Sequence, residues 1–181
     1  LVIIPTYNEI ENINAIVGAV LELPVAFDLL IVDDGSPDGT GQAVKEMMTR
    51  HPDRIHLLER SEKSGLGRAY IAGFKWALQR SYSAVAEMDA DFSHPPAKLI
   101  ELFETLNNDT ADVAVGSRYV KGGGVVNWPF TRLLLSRGAS IYVQCITGMR
   151  VKDPTAGFVC YSRKVLESIN LDAIRFVGYA F

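Results

Sequence analysis

Five short apolar runs punctuate the chain: "LVII" (residues 1–4), "LLIV" (29–32), "RIHLLE" (54–59), "SAVAEM" (83–88) and "ADVAVG" (111–116). Between and after them, apolar positions recur at helical spacing over 9–22, about 40–50, 66–80, 95–106 and 129–147. Runs of four to six apolar residues read as buried strands, and the longer amphipathic stretches read as helices. Strands that alternate with helices of this length predict right-handed crossovers and a mostly parallel sheet covered on both faces, an α/β doubly wound architecture. Local signals mark three helix starts: Asn8 with Glu11 as a capping box, Pro95 in a first turn, and Asn127 ahead of "WPFTRLLL". No internal repeat or linker interrupts the pattern, and "KGGG" (121–124) is its one evidently flexible stretch.

The polar clusters fall where the strands end. "PTYNE" follows the first run, "DDGSPDGT" the second, "DADFSH" the fourth and "GSRY" the fifth. Ligands of open α/β sheets bind along that carboxyl-terminal edge. In "EMDADFSH", Glu87, Asp89 and Asp91 alternate along an extended segment, so all three carboxylates share a face and each raises the cost of ionising the next. A hard divalent cation answers that repulsion, because Mg²⁺ binds through one or two carboxylates with waters and substrate phosphates. Ser93 adds a neutral oxygen, and His94 can serve as a helix cap or as a donor behind the carboxylates. In "DDGSPDGT" a carboxylate can accept from base N–H groups or ribose hydroxyls; equally, its aspartates can cap the next helix. Tyr7 can stack on a base with Glu9 accepting a hydrogen bond, or the pair can cover the sheet edge and a helix N-terminus.

With 181 residues, 48% of them hydrophobic, the chain is long enough for one domain with a sizeable core. Its ends, "LVIIP" and "FVGYAF", look cut in mid-element, so residues 1–181 are expected to be a single domain truncated at both ends. Cys145 and Cys160 fit neither a disulfide framework nor a zinc spacing and are read as reduced, packed thiols. No apolar run is long enough to span a bilayer. Absence of a Walker lysine motif and of G-x-G-x-x-G after the first strand leaves a P-loop phosphotransferase and a dinucleotide dehydrogenase unsupported; "SGLGRA" (64–69) reads as a tight loop opening a helix, with its backbone or Arg68 near the ligand as the alternative. The net charge of −3 conceals an asymmetry: residues 1–117 carry 9 Lys/Arg against 18 Asp/Glu, whereas residues 118–152 carry 6 against none. Arg118, Lys121, Arg132, Arg137, Arg150 and Lys152 form a basic stripe suited to an anionic ligand or membrane surface, or else a solvated face.

Six segments, "VIIPTYNEIENI", "IVDDGSPDGT", "GLGRAYIAGF", "MDADFSHPP", "GSRYVKGG" with "NWPFTR", and "DPTAGF", occur in the order and spacing of family 2 glycosyltransferases. The chain most resembles the branch that includes dolichol-phosphate (polyprenol-phosphate) mannosyltransferases. The resemblance implies a GT-A, Rossmann-like fold that binds a nucleotide sugar with a divalent cation, Mg²⁺ or Mn²⁺. It places Pro5, Tyr7, Glu9, Val32 and Asp34 against the nucleoside, and Asp89, Ala90 and Asp91 at the diphosphate and metal. Ser93 stands where some members use Gln as a further metal ligand; Arg118 matches a phosphate-binding arginine and Arg132 a basic residue at the acceptor phosphate. The implied reaction is inverting transfer of mannose from GDP-mannose to a polyprenyl phosphate on the cytoplasmic face of a membrane. The protein would be a peripheral enzyme with no nucleic-acid partner.

Because a phosphate monoester is already anionic, this chemistry needs little or no general base, and Asp89 is expected to position phosphate and metal. Glu87 is expected to be structural, with no charge partner in the sequence to explain it. The apolar residues of 129–147 suit an interfacial helix or a core-packed one. Alternatives within the fold are another nucleotide sugar such as UDP-glucose, a polysaccharide acceptor, or a nucleotide-sugar binding module without turnover. A dehalogenase-like phosphohydrolase, suggested by "DADFS", is disfavoured because its nucleophilic aspartate normally follows the first strand rather than the fourth.

Overall fold

A computed structural model describes residues 1–108, 111–120, 130–149 and 151–174, with the side chains of Phe130, Arg132 and Leu133 excepted. "KGGG", Asn127 and the rest of "NWPF" before Phe130, Arg150, and the terminal "FVGYAF" lie outside the described residues. The order of elements is β1 (Val2–Thr6), α1 (Ile10–Leu21), β2 (Leu29–Asp33), α2 (Thr40–Arg50), β3 (Ile55–Glu59), α3 (Leu66–Leu78), β4 (Ala84–Glu87), α4 (Lys98–Asn107), β5 (Val113–Val115), α5 (Phe130–Thr147), β6 (Val159–Ser162) and α6 (Arg163–Ser168). A short 3-10 turn, Leu171–Ala173, follows.

One six-stranded sheet runs in the order β3-β2-β1-β4-β6-β5. β3, β2, β1 and β4 are parallel neighbours; β1 pairs with β2 from Val2↔Leu29 to Thr6↔Asp33. Side chains of β1 and β2 alternate between two cores. Val2, Ile4, Leu29 and Ile31 pack against α1, α2 and α4, while Ile3, Leu30 and Val32 pack against α3 and Leu166 of α6. Burial on both faces is why these runs are continuously apolar, as parallel strands require.

Two features depart from the expectation. β6 was not anticipated: it is a four-residue strand directly preceding α6, and it lies antiparallel to both β4 and β5. It therefore separates β5 from β4, and β5 becomes the sheet edge, which explains its three-residue length. The second departure is at α4, which begins at Lys98 with Ala97 as its N-cap. Pro95 lies in the preceding turn, where its carbonyl accepts from the Lys98 amide at 3.0 Å.

α3 approaches β1 closely because Gly73 has no side chain. A Cβ at this position would sit 2.8 Å from Ile3 Cδ1 and Cγ2, and Ile3 is fully buried. At Gly18, in the middle of α1, a Cβ would meet nothing within 4 Å. Gly18→Ala is therefore expected to stabilise the protein by about 0.5–1 kcal/mol through helix propensity. Gly73→Ala should destabilise it by about 1–2 kcal/mol, because overpacking outweighs the same gain. Urea unfolding of the two variants checks the opposite signs.

Candidate functional site

The ends of β1 and β2 build one half of the site. The α1 N-terminus has no capping box of its own: Asn8 adopts a left-handed backbone (φ 62°) and Glu9 is the N-cap, without a side-chain cap bond. The loop after β2 supplies the acceptors instead. Asn8, Glu9 and Ile10 donate their amides to Ser36 Oγ, Thr40 Oγ1 and Asp38 Oδ2, each at 3.0 Å. Asp33 holds that loop, accepting from Thr6 Oγ1 (2.9 Å) and from the Ser36 amide and hydroxyl (3.0 and 2.6 Å). Of the two adjacent aspartates, then, Asp33 is committed to structure. Asp34 has a different environment. Its side chain is only 7% exposed and its Oδ1 lies 3.1 Å from Arg60 Nη1, without hydrogen-bond alignment. Burial pushes the Asp34 carboxyl above its usual range, against the pull of Arg60 and of the Ser64 amide.

Tyr7 is exposed, and the Lys63 ammonium sits 4.1 Å from its ring centroid. Pro5 and Val32 are register partners on β1 and β2. Val32's side chain is fully buried in the core on the α3 side, so what it can offer a ligand is backbone. Ala90 is likewise 4% exposed. Glu9 Oε2 accepts from Nδ2 of the Asn12 side chain at 2.9 Å, within the first turn of α1. Arg60, Lys63 and Ser64 come from the loop after β3, a strand end where the sequence pointed only to "SGLGRA" and Arg68. A readable signal existed in "RSEKSG" (60–65), which carries two cations where a parallel strand leaves the sheet.

β4 supplies the second half. Glu87, the last residue of the strand, is 3% exposed and its Oε1 has no hydrogen-bond partner among the described residues. Its Oε2 lies 3.4 Å from the Tyr161 hydroxyl, and burial pushes its pKa up to about 8. The missing charge partner is thereby explained: at neutral pH Glu87 is a protonated acid. Asp89 accepts from the Tyr70 hydroxyl at 3.2 Å, and its pKa is raised, first by burial and further by the charge of Asp91. Asp91 is more open and accepts from the Ser93 amide at 2.9 Å; hydrogen bonds from Ser93 hold its carboxyl low despite some burial.

His94 is neither a helix cap nor a cation. Its Nδ1 accepts the Asp89 amide at 3.1 Å, its ring stacks on Phe158 at 4.9 Å and 6°, and burial lowers its pKa. Phe158 in turn packs where a side chain at Gly116 would sit, 2.6 Å from a Cβ built there.

Arg118 is held in place. Its Nε and Nη2 grip Asp153 at 2.7 and 2.6 Å, its amide donates to Asp153 Oδ2 at 3.1 Å, and Nη2 also reaches Thr155 Oγ1 at 3.0 Å. Asp153 is fully buried, and the guanidinium keeps its carboxyl below the usual range. The expected phosphate arginine is thus clasped to "DPTAGF", a segment whose partner residues the sequence reading did not identify. Asp153 is the first acid after the 40-residue stretch 113–152, which has none, and that was its available signal. Arg132 lies in α5, with its side chain outside the description.

Among the described residues no group of three or more His, Cys, Asp or Glu gathers as a metal site. The donor set nevertheless fits a hard divalent cation that takes its other ligands from substrate. Asp89 and Asp91 are hard oxygen donors that disfavour each other's ionisation, and a cation between them removes that penalty.

The chain matches the family model described as "Glycosyl transferase family 2" over residues 1–169. It is 51% identical over 181 residues to a protein of Mycolicibacterium smegmatis named "Polyprenol monophosphomannose synthase", covering all of this chain and 68% of that one. It is 46% identical over 181 residues to the "Undecaprenyl-phosphate mannosyltransferase" of Micrococcus luteus, covering all of this chain and 73% of the relative. Among solved structures, it resembles a mannosyltransferase from Pyrobaculum calidifontis in complex with GDP-Man and Mn²⁺, with a TM-score of 0.62 at 23% identity. That match takes in 92% of this chain and 45% of the solved one, so the chain spans just under half the length of that structure.

Two measurements check the electrostatics of the site. Glu87 binds a proton up to about pH 8 when folded but only to about 4.5 when unfolded, so its stabilising effect is full below 4.5 and is lost as pH rises toward 8. In metal-free buffer, the melting temperature of Glu87→Gln relative to the parent should therefore climb between pH 5 and pH 8, tracking about 1.4 kcal/mol per pH unit. A flat difference would mean that Glu87 is ionised in the fold. Asp153→Asn leaves Arg118 facing a neutral partner in a mostly buried site, and should lower unfolding stability by about 3 kcal/mol in urea titrations.

Proposed function

The chain belongs to glycosyl transferase family 2, and from that premise we propose that it transfers mannose from GDP-mannose to a polyprenyl phosphate, with inversion, at the cytoplasmic face of a membrane. The observation that carries this reading is that two relatives, matched along the whole chain at 51% and 46% identity, both bear names that join mannose to a polyprenyl phosphate. Those names favour this donor and acceptor over UDP-glucose or a polysaccharide.

Tyr7, exposed at the strand edge, offers its ring to the base, and Asp34, nearly buried beside Arg60, accepts from base or ribose donors. Backbone at Pro5, Val32 and Ala90 shapes the cleft, with Glu9 behind it at the α1 N-terminus. Asp89 and Asp91, helped by Ser93, would hold a divalent cation, Mg²⁺ or Mn²⁺, against the donor diphosphate. When bound, such a cation offsets the charge that develops on the nucleoside diphosphate as the sugar C1–O bond breaks. An acceptor phosphate oxygen forms the new bond to C1 from the opposite face, so the anomeric configuration inverts. No side chain needs to remove a proton, because a phosphate monoester arrives as an anion. Arg118, oriented by Asp153 and Thr155, and Arg132 on α5 supply positive charge for the phosphates. Among the described residues no helix is long and apolar enough to cross a membrane.

Transfer of radiolabel from GDP-mannose to a detergent-dispersed polyprenyl phosphate tests the reading. We expect activity with Mg²⁺ or Mn²⁺ that EDTA abolishes, a loss of at least about 100-fold in Asp91→Ala, and a β-linked product from the α-linked donor. Label accepted from UDP-glucose but not from GDP-mannose would overturn the donor assignment. An α-linked product would overturn inversion.

A further inference from the structure

An imidazole stands in for a missing strand at the end of β4. The amides of Ala86 and Met88 donate to the carbonyls of Leu1 and Ile3 on the β1 side, at 2.8 and 3.1 Å, so the alternate amides face β6. Antiparallel pairing there runs Ala84↔Ser162, Val85↔Tyr161 and Ala86↔Cys160, and three residues further on the same register would set Asp89 opposite Gly157. The ladder has ended by then, because β4 stops at Glu87 and β6 starts only at Val159. His94 takes over, and its Nδ1 accepts from the Asp89 amide at 3.1 Å.

Three neighbours seat that ring. Phe92 adopts a left-handed backbone (φ 60°), which turns the segment back on itself so that His94 returns to Asp89. Gly157 leaves the space: a Cβ there would already touch the ring, 3.6 Å from Cε1. Phe158, 4% exposed, lies parallel to the imidazole at 4.9 Å and 6°. The Asp89 carboxylate is thereby fixed from two directions, since its Oδ1 also accepts from the Tyr70 hydroxyl of α3 at 3.2 Å. Its Oδ2 lies 3.8 Å from His94 Nδ1, beyond hydrogen-bond reach. An Nδ1 that accepts from the amide has no proton to offer Oδ2, so that oxygen stays available to a cation.

We propose that His94 is a positioning residue: by holding the Asp89 amide, it fixes the Asp89 carboxylate in the pose that shares a divalent cation with Asp91. The proposal rests on the reading of Asp89 and Asp91 as cation ligands, and His94 itself touches neither cation nor substrate. Two substitutions separate its acceptor from its ring. His94→Phe keeps an aromatic ring against Phe158 and removes the acceptor, whereas His94→Asn gives up the ring and puts Oδ1 where Nδ1 stood. Binding of Mn²⁺ to the protein beside GDP is read from the electron paramagnetic resonance signal of the free ion. His94→Phe should raise the Mn²⁺ dissociation constant by at least about 10-fold, the usual effect of losing a group that orients a metal ligand, and His94→Asn should recover it to within about 3-fold of the parent. GDP affinity in EDTA should be alike in all three, because the nucleoside half of the site is untouched.

The opposite order, with His94→Phe like the parent and His94→Asn weak, would show that only the packing of the ring matters, and it overturns the proposal. An equal loss in both variants, or none in either, overturns it too. Imidazole nitrogen NMR of the parent gives a check that needs no variant to fold: His94 should carry its proton on Nε2, and a proton on Nδ1 refutes the hydrogen bond on which the role depends. In mannosyl transfer to detergent-dispersed acceptor, His94→Phe should raise the KM for Mn²⁺ while kcat at saturating Mn²⁺ stays within about 3-fold of the parent. A fall in kcat at unchanged KM for Mn²⁺ would place His94 in the chemical step and refute a positioning role. Variants that rank as described in a protein that transfers no sugar would sink the proposed function and leave the role of His94 standing. A parent that binds no Mn²⁺ beside GDP would remove the cation ligands and this proposal together.

Discussion

Three parallel strands buried on both faces, β1, β2 and β4, set the geometry of this molecule. Val2, Ile3, Ile4 and Leu29 to Val32 are all fully buried, so along these stretches β1 and β2 have no place for a charge that faces water. Chemistry can begin only where each strand leaves the sheet, and parallel pairing brings those exits to one edge. Tyr7, Asp34, Arg60 and Asp89 come from four different strand ends and 83 residues of chain, and they share that edge through the topology. The same constraint builds the first corner of the site, where hydroxyls and a carboxylate after β2 accept from α1-start amides that lie 28 to 31 residues earlier in sequence.

Desolvation then sorts the acids. Asp33, Asp34, Glu87, Asp89 and Asp91 sit at or near strand exits and Asp153 in the segment that leads into β6, yet each is balanced differently. Asp33 accepts from hydroxyls and an amide, and Asp153 from a guanidinium and an amide. Asp34 has a guanidinium beside it without full alignment. Glu87 has no cation and stays protonated. Asp89 and Asp91 are left with neutral donors and with each other. Asp89 feels the charge of Asp91 and both are held only by neutral donors, so the pair fits a divalent cation, while their neighbour Glu87 serves the fold.

The far side of the sheet holds the carboxylate pair in place. β6 enters antiparallel between β4 and β5, and the segment that leads into it carries Asp153, Gly157 and Phe158. Asp153 ties down Arg118 after β5, while Phe158 stacks on His94, which accepts the Asp89 amide. A buried ion pair of this sort does more for position than for net stability. Here it connects the basic segment to the acidic one through a single inserted strand.

The sequence by itself determined the parallel α/β sheet, the alternation of its elements, the strand-end position of each polar cluster and, through six ordered motifs, the family. These are local properties: period, run length and spacing are written along the chain and need no partner to be read. Tertiary structure decided the rest. β6 is four residues long and acquires its role only between β4 and β5. The α1 cap comes from 28 to 31 residues away, which a local capping pattern at Asn8 and Glu11 could not reveal. Arg118 reads as a free cation until Asp153, 35 residues later, is folded against it. Glu87 reads as a structural residue whose charge lacks a partner until burial removes that charge. In each case the deciding quantity is how much water a polar group loses and which partner replaces it, and that quantity exists only once the chain has folded.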